Sequence, residues 1–428
     1  MHQESVMSSP LELSANSTRP QRIERWLRHA IFQRLEKLAH GCVTVVDANG
    51  VHEFGRASAE CPLRATVTIH DPNAYRLLAL RGSIGVGEGY MAGEWSCNDL
   101  PSLVRIFVLN QDALLGLERG LARLVTPLFR LLYARRDNSR NGSRANIAAH
   151  YDLGNEFYRL FLDDTLMYSS AIFSTPDTDL RDASVAKIDR ICRKLELKPD
   201  DHLLEIGSGW GGFALHAARH YGCRVTTTTI SQEQYQLARE RVREAELEER
   251  VTVLCQDYRE LRGSFDKLVS IEMIEAVGER HLNTYFRTCA RLLKPQGMML
   301  LQAITVADQK YDQYRNEVDF IRHYIFPGGF LPSLTAIAET LGRATDLRVF
   351  HLEDIGAHYA TTLRHWRERF LANLEQVRAL GFPESFIRMW EYYLCYCEGG
   401  FRERAIGTVQ VLLTKPLCRR EPLTPALG

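Results

Sequence analysis

One glycine-dense passage limits what this chain can fold into: His202-Leu-Leu-Glu-Ile-Gly-Ser-Gly-Trp-Gly-Gly212, set between a short apolar run and the helical pattern Phe213–Tyr221. An apolar strand that breaks into glycines and resumes as a helix is the opening unit of an open α/β sheet. Glycine lets the backbone turn sharply there and lets a ligand approach it closely. The flanking sequence extends the pattern. From about Ala145, strand candidates at His202–Ile206, Arg224–Thr229, Val251–Leu254, Lys267–Ile271 and Met298–Ile304 alternate with helical stretches. That alternation predicts an α/β fold, a mostly parallel sheet covered by helices on both faces. The tail from Arg364 to Cys397 reads as helical and rich in aromatics.

Upstream the pattern differs. Residues 1–20 are polar and expected to form a disordered tail. From Arg22, Ile23, Trp26, Leu27, Ala30, Ile31, Leu35 and Leu38 fall on one helical face, opposite a face dominated by arginine and lysine. A basic amphipathic helix of this kind suits a bilayer interface, and equally a surface helix packed on its own domain. Strand-like runs at Cys42–Asp47 and Ala65–Ile69, the glycine-rich Gly82–Gly93 and a helical region from Leu100 to Tyr133 complete a smaller N-terminal α+β domain over residues 21–135. Residues 136–145, polar and arginine-bearing, read as a basic linker to the second domain, 146–428. Such a linker either attracts anionic lipid headgroups or is simply solvated.

Composition excludes some classes. With 45% hydrophobic and 25% charged residues, the chain is neither fibrous nor disordered as a whole. Basic and acidic residues balance at 53 each, so net charge points to no nucleic-acid partner. Ten cysteines are scattered, and Cys395 with Cys397 is the one close pair, so no zinc site is expected and no metal at all. The first residues lack the basic and apolar segments of an export signal, which with free thiols points to the cytoplasm. No stretch reaches the ~18 apolar residues of a spanning helix, so any membrane contact is peripheral.

The glycine loop narrows the cofactor. Gly207, Gly209 and Gly212 match a dinucleotide spacing, but that fingerprint also wants an acid closing the second strand. Here that strand runs Val225-Thr-Thr-Thr-Thr-Ile-Ser231 without one. Glu205 stands instead just before the glycines, where it would repel a pyrophosphate and suit a cationic cofactor with an amino-acid tail. S-adenosylmethionine is therefore favoured over a nicotinamide.

A family resemblance enters on further motifs. His150-Tyr-Asp-Leu-Gly-Asn-Glu-Phe-Tyr158, Met167-Tyr-Ser169, Glu205–Gly212, Thr229-Ile-Ser-Gln-Glu-Gln234 and Gln256-Asp-Tyr258 stand in order along the chain. Glu272-Met-Ile-Glu-Ala-Val-Gly278, Tyr324-Ile-Phe-Pro-Gly-Gly329, Gly356-Ala-His-Tyr-Ala-Thr-Thr362 and Cys397-Glu-Gly-Gly-Phe-Arg-Glu-Arg404 follow. Together they resemble the cyclopropane-fatty-acyl-phospholipid synthase family, methyltransferases of the Rossmann-like class. Gly85-Val-Gly-Glu-Gly-Tyr-Met-Ala-Gly-Glu-Trp95 resembles the longer bacterial members, which carry an extra N-terminal domain.

The resemblance implies roles. Tyr168, Ser169, Glu205, Gly207 and Gly209 would line the methionine end of S-adenosylmethionine, Thr229 and Gln234 the ribose, and Asp257 and Tyr258 the adenine. Taken alone, Thr229 is a good strand former and Tyr258 a good core residue. The implied reaction delivers a methyl to the double bond of an unsaturated acyl chain in a membrane phospholipid, at the inner face of the membrane. A cation forms on the chain, suited by aromatic faces, and a base then removes a proton. Loss from the added methyl closes a cyclopropane; loss from a neighbouring carbon leaves a methyl or methylene branch. In the family the base is a bound bicarbonate, held partly by residues matching Glu275 and Tyr359. Ser170, Gln302 and Cys397 complete the implied catalytic set. Three positions depart from the cyclopropane-forming pattern: Ser170 stands for a cysteine, Ala276 for a histidine, and Gln302 for another histidine. Glutamine can donate a hydrogen bond to an anion but cannot carry a proton. Amine methylation, an inactive lipid-binding protein and a homodimer stay open at this point.

Overall fold

The protein is seen in a computed structural model that describes residues 18–112 and 153–423, with side chains from Ile23 onward. The linker 136–145, the helical stretch beyond 112 and His150–Asp152 of the first family motif lie outside the described residues, as does the tail up to residue 17. Residues 18–20 of that tail are helical rather than disordered: they open α1 (Thr18–Leu35).

Four short strands make the smaller sheet: β1 (Gly41–Asp47), β2 (Gly50–Arg56), β3 (Arg64–Ile69) and β4 (Trp95–Cys97), in the order β2-β1-β3-β4. α1, α2 (Asn73–Ala92) and α3 (Leu100–Leu109) accompany it. The glycine-rich run falls inside α2. Gly82, at φ +55, is non-helical and kinks it. A Cβ at Gly87 would lie 2.3 Å from the Phe320 ring, so the missing side chain is what lets α2 approach that ring.

The larger sheet holds β5 (His202–Ile206), β6 (Arg224–Thr229), β7 (Val251–Cys255), β8 (Phe265–Ile271), β9 (Leu293–Val306), β10 (Arg348–Asp354) and β11 (Ile406–Thr414). Their order is β10-β11-β9-β8-β5-β6-β7. β5 to β9 pair in parallel, while β11 runs antiparallel to both β9 and β10. All five expected strands are present; β10 and β11 were not foreseen.

Period-two alternation divides the core. Leu203, Val225, Val269 and Leu300 pack under the helices Leu180–Leu195 and Gly212–Tyr221. Leu204, Leu268, Leu301 and Val411 face Tyr285, Phe286 and Leu341 of the helices Leu282–Leu292 and Leu334–Ala344 on the opposite side. Both faces are therefore buried, as a parallel sheet requires. A third cluster joins Tyr90, Trp95 and Ile106 of the smaller unit to Trp390, Tyr392 and Phe401 of the helix Glu384–Arg402. Polar bonds reinforce that junction: Tyr90 OH donates to Glu391 at 2.9 Å and Tyr324 OH to Glu88 at 2.6 Å.

β5 starts the sheet at its middle. The chain then builds β6 and β7 on one side and β8 and β9 on the other, so a crevice opens at the carboxyl ends of β5 and β8. The Gly207 turn leaves one of those ends and Glu272 leaves the other.

Candidate active site

The crevice widens into a cavity of about 860 Å³. Around its cofactor end stand Tyr168, Ser169, Glu205, Gly207, Gly209, Thr229, Gln234, Asp257 and Tyr258, every residue the sequence assigned there. Gly207 has φ +97, and a Cβ on it would sit 3.0 Å from Met273 Cγ; Gly209 has φ +49. At these angles glycine is the residue that avoids strain. Glu205 is buried and accepts a hydrogen bond from Thr227 Oγ1 at 2.6 Å. Burial pushes its carboxyl up to about 8, against that bond and the nearby Lys187 charge. A cationic amino group brought into the cavity would restore its ionised form. Thr229 Oγ1 donates to Gln234 Oε1 at 2.8 Å, closing the turn after β6. Asp257 caps the next turn, paired with Arg259 at 2.6 Å, and the Tyr258 ring meets Tyr285 edge-on at 5.6 Å. Tyr258 thus belongs to both the core and the cavity wall.

These residues fit S-adenosylmethionine: a buried acid for its ammonium, strain-free glycines for close approach, and polar groups at the ends of β6 and β7 for hydroxyls and base.

Deeper in, aromatic rings take over. Tyr168 lies 5.2 Å from Trp366 between ring centroids, and Tyr359 stacks on Phe401 at 4.4 Å. The Tyr168 and Tyr393 hydroxyls share a hydrogen bond of 2.9 Å. Cys397 lines this part with its thiol pushed upward by burial, so it stays protonated and acts as wall.

The expected catalytic group is rearranged. Tyr359 OH donates to Glu272 Oε2 at 2.7 Å rather than meeting Glu275. Gln302 Nε2 and the backbone N–H of Ser170 both donate to Glu272 Oε1, at 2.8 and 3.0 Å. Gln302 is fully buried behind Glu272 and does not line the cavity. Ser170 also stays off the wall, its hydroxyl turned to the Ala171 carbonyl at 3.0 Å. Glu275 sits one short turn further on, in Ile274–Ala276, where its Oε1 accepts from the Ile304 N–H at 2.6 Å. Its Oε2 is buried without a hydrogen-bond partner among the described residues. Burial, then the Glu272 charge, push the Glu275 carboxyl up to about 8.

Sequence reasoning missed two members. Glu272 lies in a family motif whose implied roles leave it out; an acid directly after an apolar strand is the signal that marks it. Lys187 is fully buried, donates to Ser169 Oγ at 2.8 Å, and is pushed down to about 8 by burial. It interrupts the apolar face Ala183, Ile188, Ile191 of its helix, which was legible.

A parallel sheet with this switch point, a glycine turn after its first strand and a buried acid before it define an S-adenosylmethionine-dependent methyltransferase. Residues 138–411 match the family model of mycolic acid cyclopropane synthetase. The chain is 41% identical over 374 residues to tuberculostearic acid methyltransferase UfaA1 of Mycobacterium tuberculosis, covering 85% of this chain and 87% of that protein. It is 38% identical to the cyclopropane-fatty-acyl-phospholipid synthase of Escherichia coli, over 82% and 88% of the two chains. The crystal structure of mycolic acid cyclopropane synthase CmaA1 with SAH and CTAB superposes with a TM-score of 0.60 at 33% identity, covering 64% of this chain and 98% of that one. The chain belongs to the mycolic acid cyclopropane synthetase family, and is a methyltransferase of the cyclopropane-synthase type.

Proposed function

We propose that this protein transfers a one-carbon unit from S-adenosylmethionine to the cis double bond of an unsaturated acyl chain in a membrane phospholipid, closing a cyclopropane ring. One observation carries the reading. The glycine turn, the aromatic rings and the buried carboxylates share a single cavity, whose far wall is the apolar face of the smaller sheet and α1, including Phe32, Val43, Val45 and Val67. S-adenosylmethionine supplies an electrophilic methyl when bound. Glu205 and the Gly207–Gly209 backbone hold its amino-acid end, while Thr229, Gln234, Asp257 and Tyr258 surround its nucleoside. The apolar wall accepts the acyl chain and excludes water from a poor alkene nucleophile. The rings of Tyr168 and Tyr359, both in the cavity wall, stabilise the cation that methyl attack leaves on the chain.

Contact with the membrane surface is part of this proposal, with residues 21–135 as the lipid-facing unit and 146–428 as the catalytic one. Ile23 and Trp26 are 58% and 60% exposed, whereas Leu27, Ile31 and Leu35 of the same helix are buried. α1 therefore packs on its own unit, and the two apolar side chains that it presents outward support the membrane reading. Among the described residues no helix is long and apolar enough to cross a membrane.

A second reading, a methyl- or methylene-branched product, is favoured by a specific observation: Ala276 and Gln302 leave two expected proton carriers absent. The relative named tuberculostearic acid methyltransferase agrees with it. Bicarbonate does not fit the group as built, because the donors implied for it converge on Glu272.

The test is full-length protein with ¹³C-methyl-labelled S-adenosylmethionine and vesicles of a cis-monounsaturated phospholipid, read by NMR of the extracted lipid. A labelled ring methylene is the expected result. A labelled branch selects the second reading, and label appearing only on added amines refutes both.

A further inference from the structure

We propose that the Glu272 carboxylate is itself the base that takes the proton released after methyl transfer, so that this chain needs no bound anion for the step. The inference rests on the proposed function above.

Three donors from three separate segments converge on this one side chain. Ser170 N–H and Gln302 Nε2 meet Oε1, and Tyr359 OH meets Oε2. The direction of these bonds is fixed from outside. Lys194 Nζ, which can only donate, gives a hydrogen bond to Gln410 Oε1 at 2.8 Å. Gln410 Nε2 then donates to Gln302 Oε1 at 3.0 Å. That leaves Gln302 Nε2 facing Glu272 as a donor. Oε1 therefore accepts twice, which suits the ionised carboxylate. Oε2 has the Tyr359 donor and keeps a lone pair for the cavity that Glu272 lines.

The backbone offers a second, independent sign. Glu272 has φ +48, a left-handed conformation sparsely used by residues other than glycine. Such conformations persist where the surroundings enforce them, and they cluster at functional sites. Here the residue follows directly on β8 and its side chain lines the cavity. Burial pushes the Glu272 carboxyl upward, against the pull of Tyr359, Gln302, Ser170 and Lys187, which favours proton uptake once the cation has formed.

The step balances as follows. The alkene π pair forms the bond to the incoming methyl carbon, and the sulfur–carbon bond breaks with its pair returning to sulfur. A cation remains on the adjacent chain carbon. A C–H bond of the added methyl then breaks; its electron pair closes the ring and its proton passes to Glu272 Oε2. The neutral carboxyl releases that proton to solvent before the next turnover. In the branched outcome the same oxygen takes the proton from a neighbouring chain carbon.

The experiment measures labelled methyl in lipid with full-length protein, in buffer freed of carbon dioxide and in the same buffer with added bicarbonate. The wild type is expected to turn over equally in both. Glu272→Gln keeps the shape and should lose ~10²–10⁴-fold in rate while binding S-adenosylmethionine as before. Glu272→Gly empties the three donors and relaxes the backbone; its residual rate should rise with added bicarbonate or formate, a rescue that a purely structural role would not produce. A wild type active only with added bicarbonate, or an undiminished Glu272→Gln, overturns the proposal and leaves the proposed function intact. No labelled lipid under either condition overturns the proposed function, and this proposal with it.

Discussion

The Tyr359 hydroxyl donates to Glu272 Oε2 at 2.7 Å, tying the helix Gly356–Ala372 to the carboxyl end of β8. The bond holds an otherwise strained residue and sets the basicity of its carboxylate. The same ring stacks on Phe401, so the aromatic surface and the carboxylate are fixed by one side chain.

Tyr359→Phe therefore acts on pH dependence. The lost bond lowers the Glu272 pKa in the wild type, so removing it raises that pKa. A base works when deprotonated, and the acid limb of the rate profile should move to higher pH. The titratable neighbours Glu275 and Lys187 remain in both proteins. Rate–pH curves of the two proteins check this; an unmoved limb would separate Tyr359 from the base.

Glu275→Gln should change stability with a defined sign. In the fold its carboxyl is pushed up to about 8, above the ordinary glutamate value of 4.5. Stability from the buried neutral carboxyl is fully present below pH 4.5 and is lost as pH rises through 8. The glutamine variant should lose less stability than wild type across that window. Urea unfolding at several pH values measures it. The variant should also slow turnover far more than it weakens S-adenosylmethionine binding.

Gly209→Val places a branched side chain at φ +49, on backbone that faces the cavity. No heavy atom lies within 4 Å of the new Cβ position, so the cost is backbone strain confined to this turn rather than a clash with the core. Affinity for S-adenosylmethionine should fall by about tenfold or more, ~1.4 kcal/mol. Calorimetric titration of the folded variant decides; unchanged affinity would remove this loop from the cofactor site.

Membrane contact is best tested at the surface. Deleting residues 1–40 would remove Ile31, Phe32 and Leu35 from the core, so its effect would mix folding with binding. Replacing Ile23 and Trp26 by serine should weaken sedimentation with anionic vesicles and leave the melting temperature unchanged. Binding should also weaken as salt screens the basic groups, the Debye length being ~8 Å at physiological ionic strength. Equal sedimentation of variant and wild type, insensitive to salt, would rule the helix out.

Val67→Trp puts a larger ring into the part of the cavity wall that β3 contributes, where the acyl chain is proposed to lie. Longer acyl chains should be modified more slowly than shorter ones, with S-adenosylmethionine affinity unchanged. Product profiles from mixed-chain vesicles report the outcome.

Local sequence determined the parts whose cause is local. Apolar runs and glycines specified β5, its turn and the following helix, because backbone freedom and alternating burial act within a few residues. The residues expected to hold the cofactor line one cavity, since they lie at strand ends that the same pattern locates. β10 and β11 were missed because antiparallel edge pairing depends on partners: β11 pairs with β9 over a hundred residues away. α2 was obscured by its glycines, which only make sense once Phe320 stands against Gly87. The proposed base was likewise a tertiary matter. Glu272 and Glu275 share one short motif, and nothing local tells them apart. What separates them is that Tyr359, Gln302 and the Ser170 N–H arrive from distant segments at one carboxylate and, among the described residues, leave an oxygen of the other without a partner.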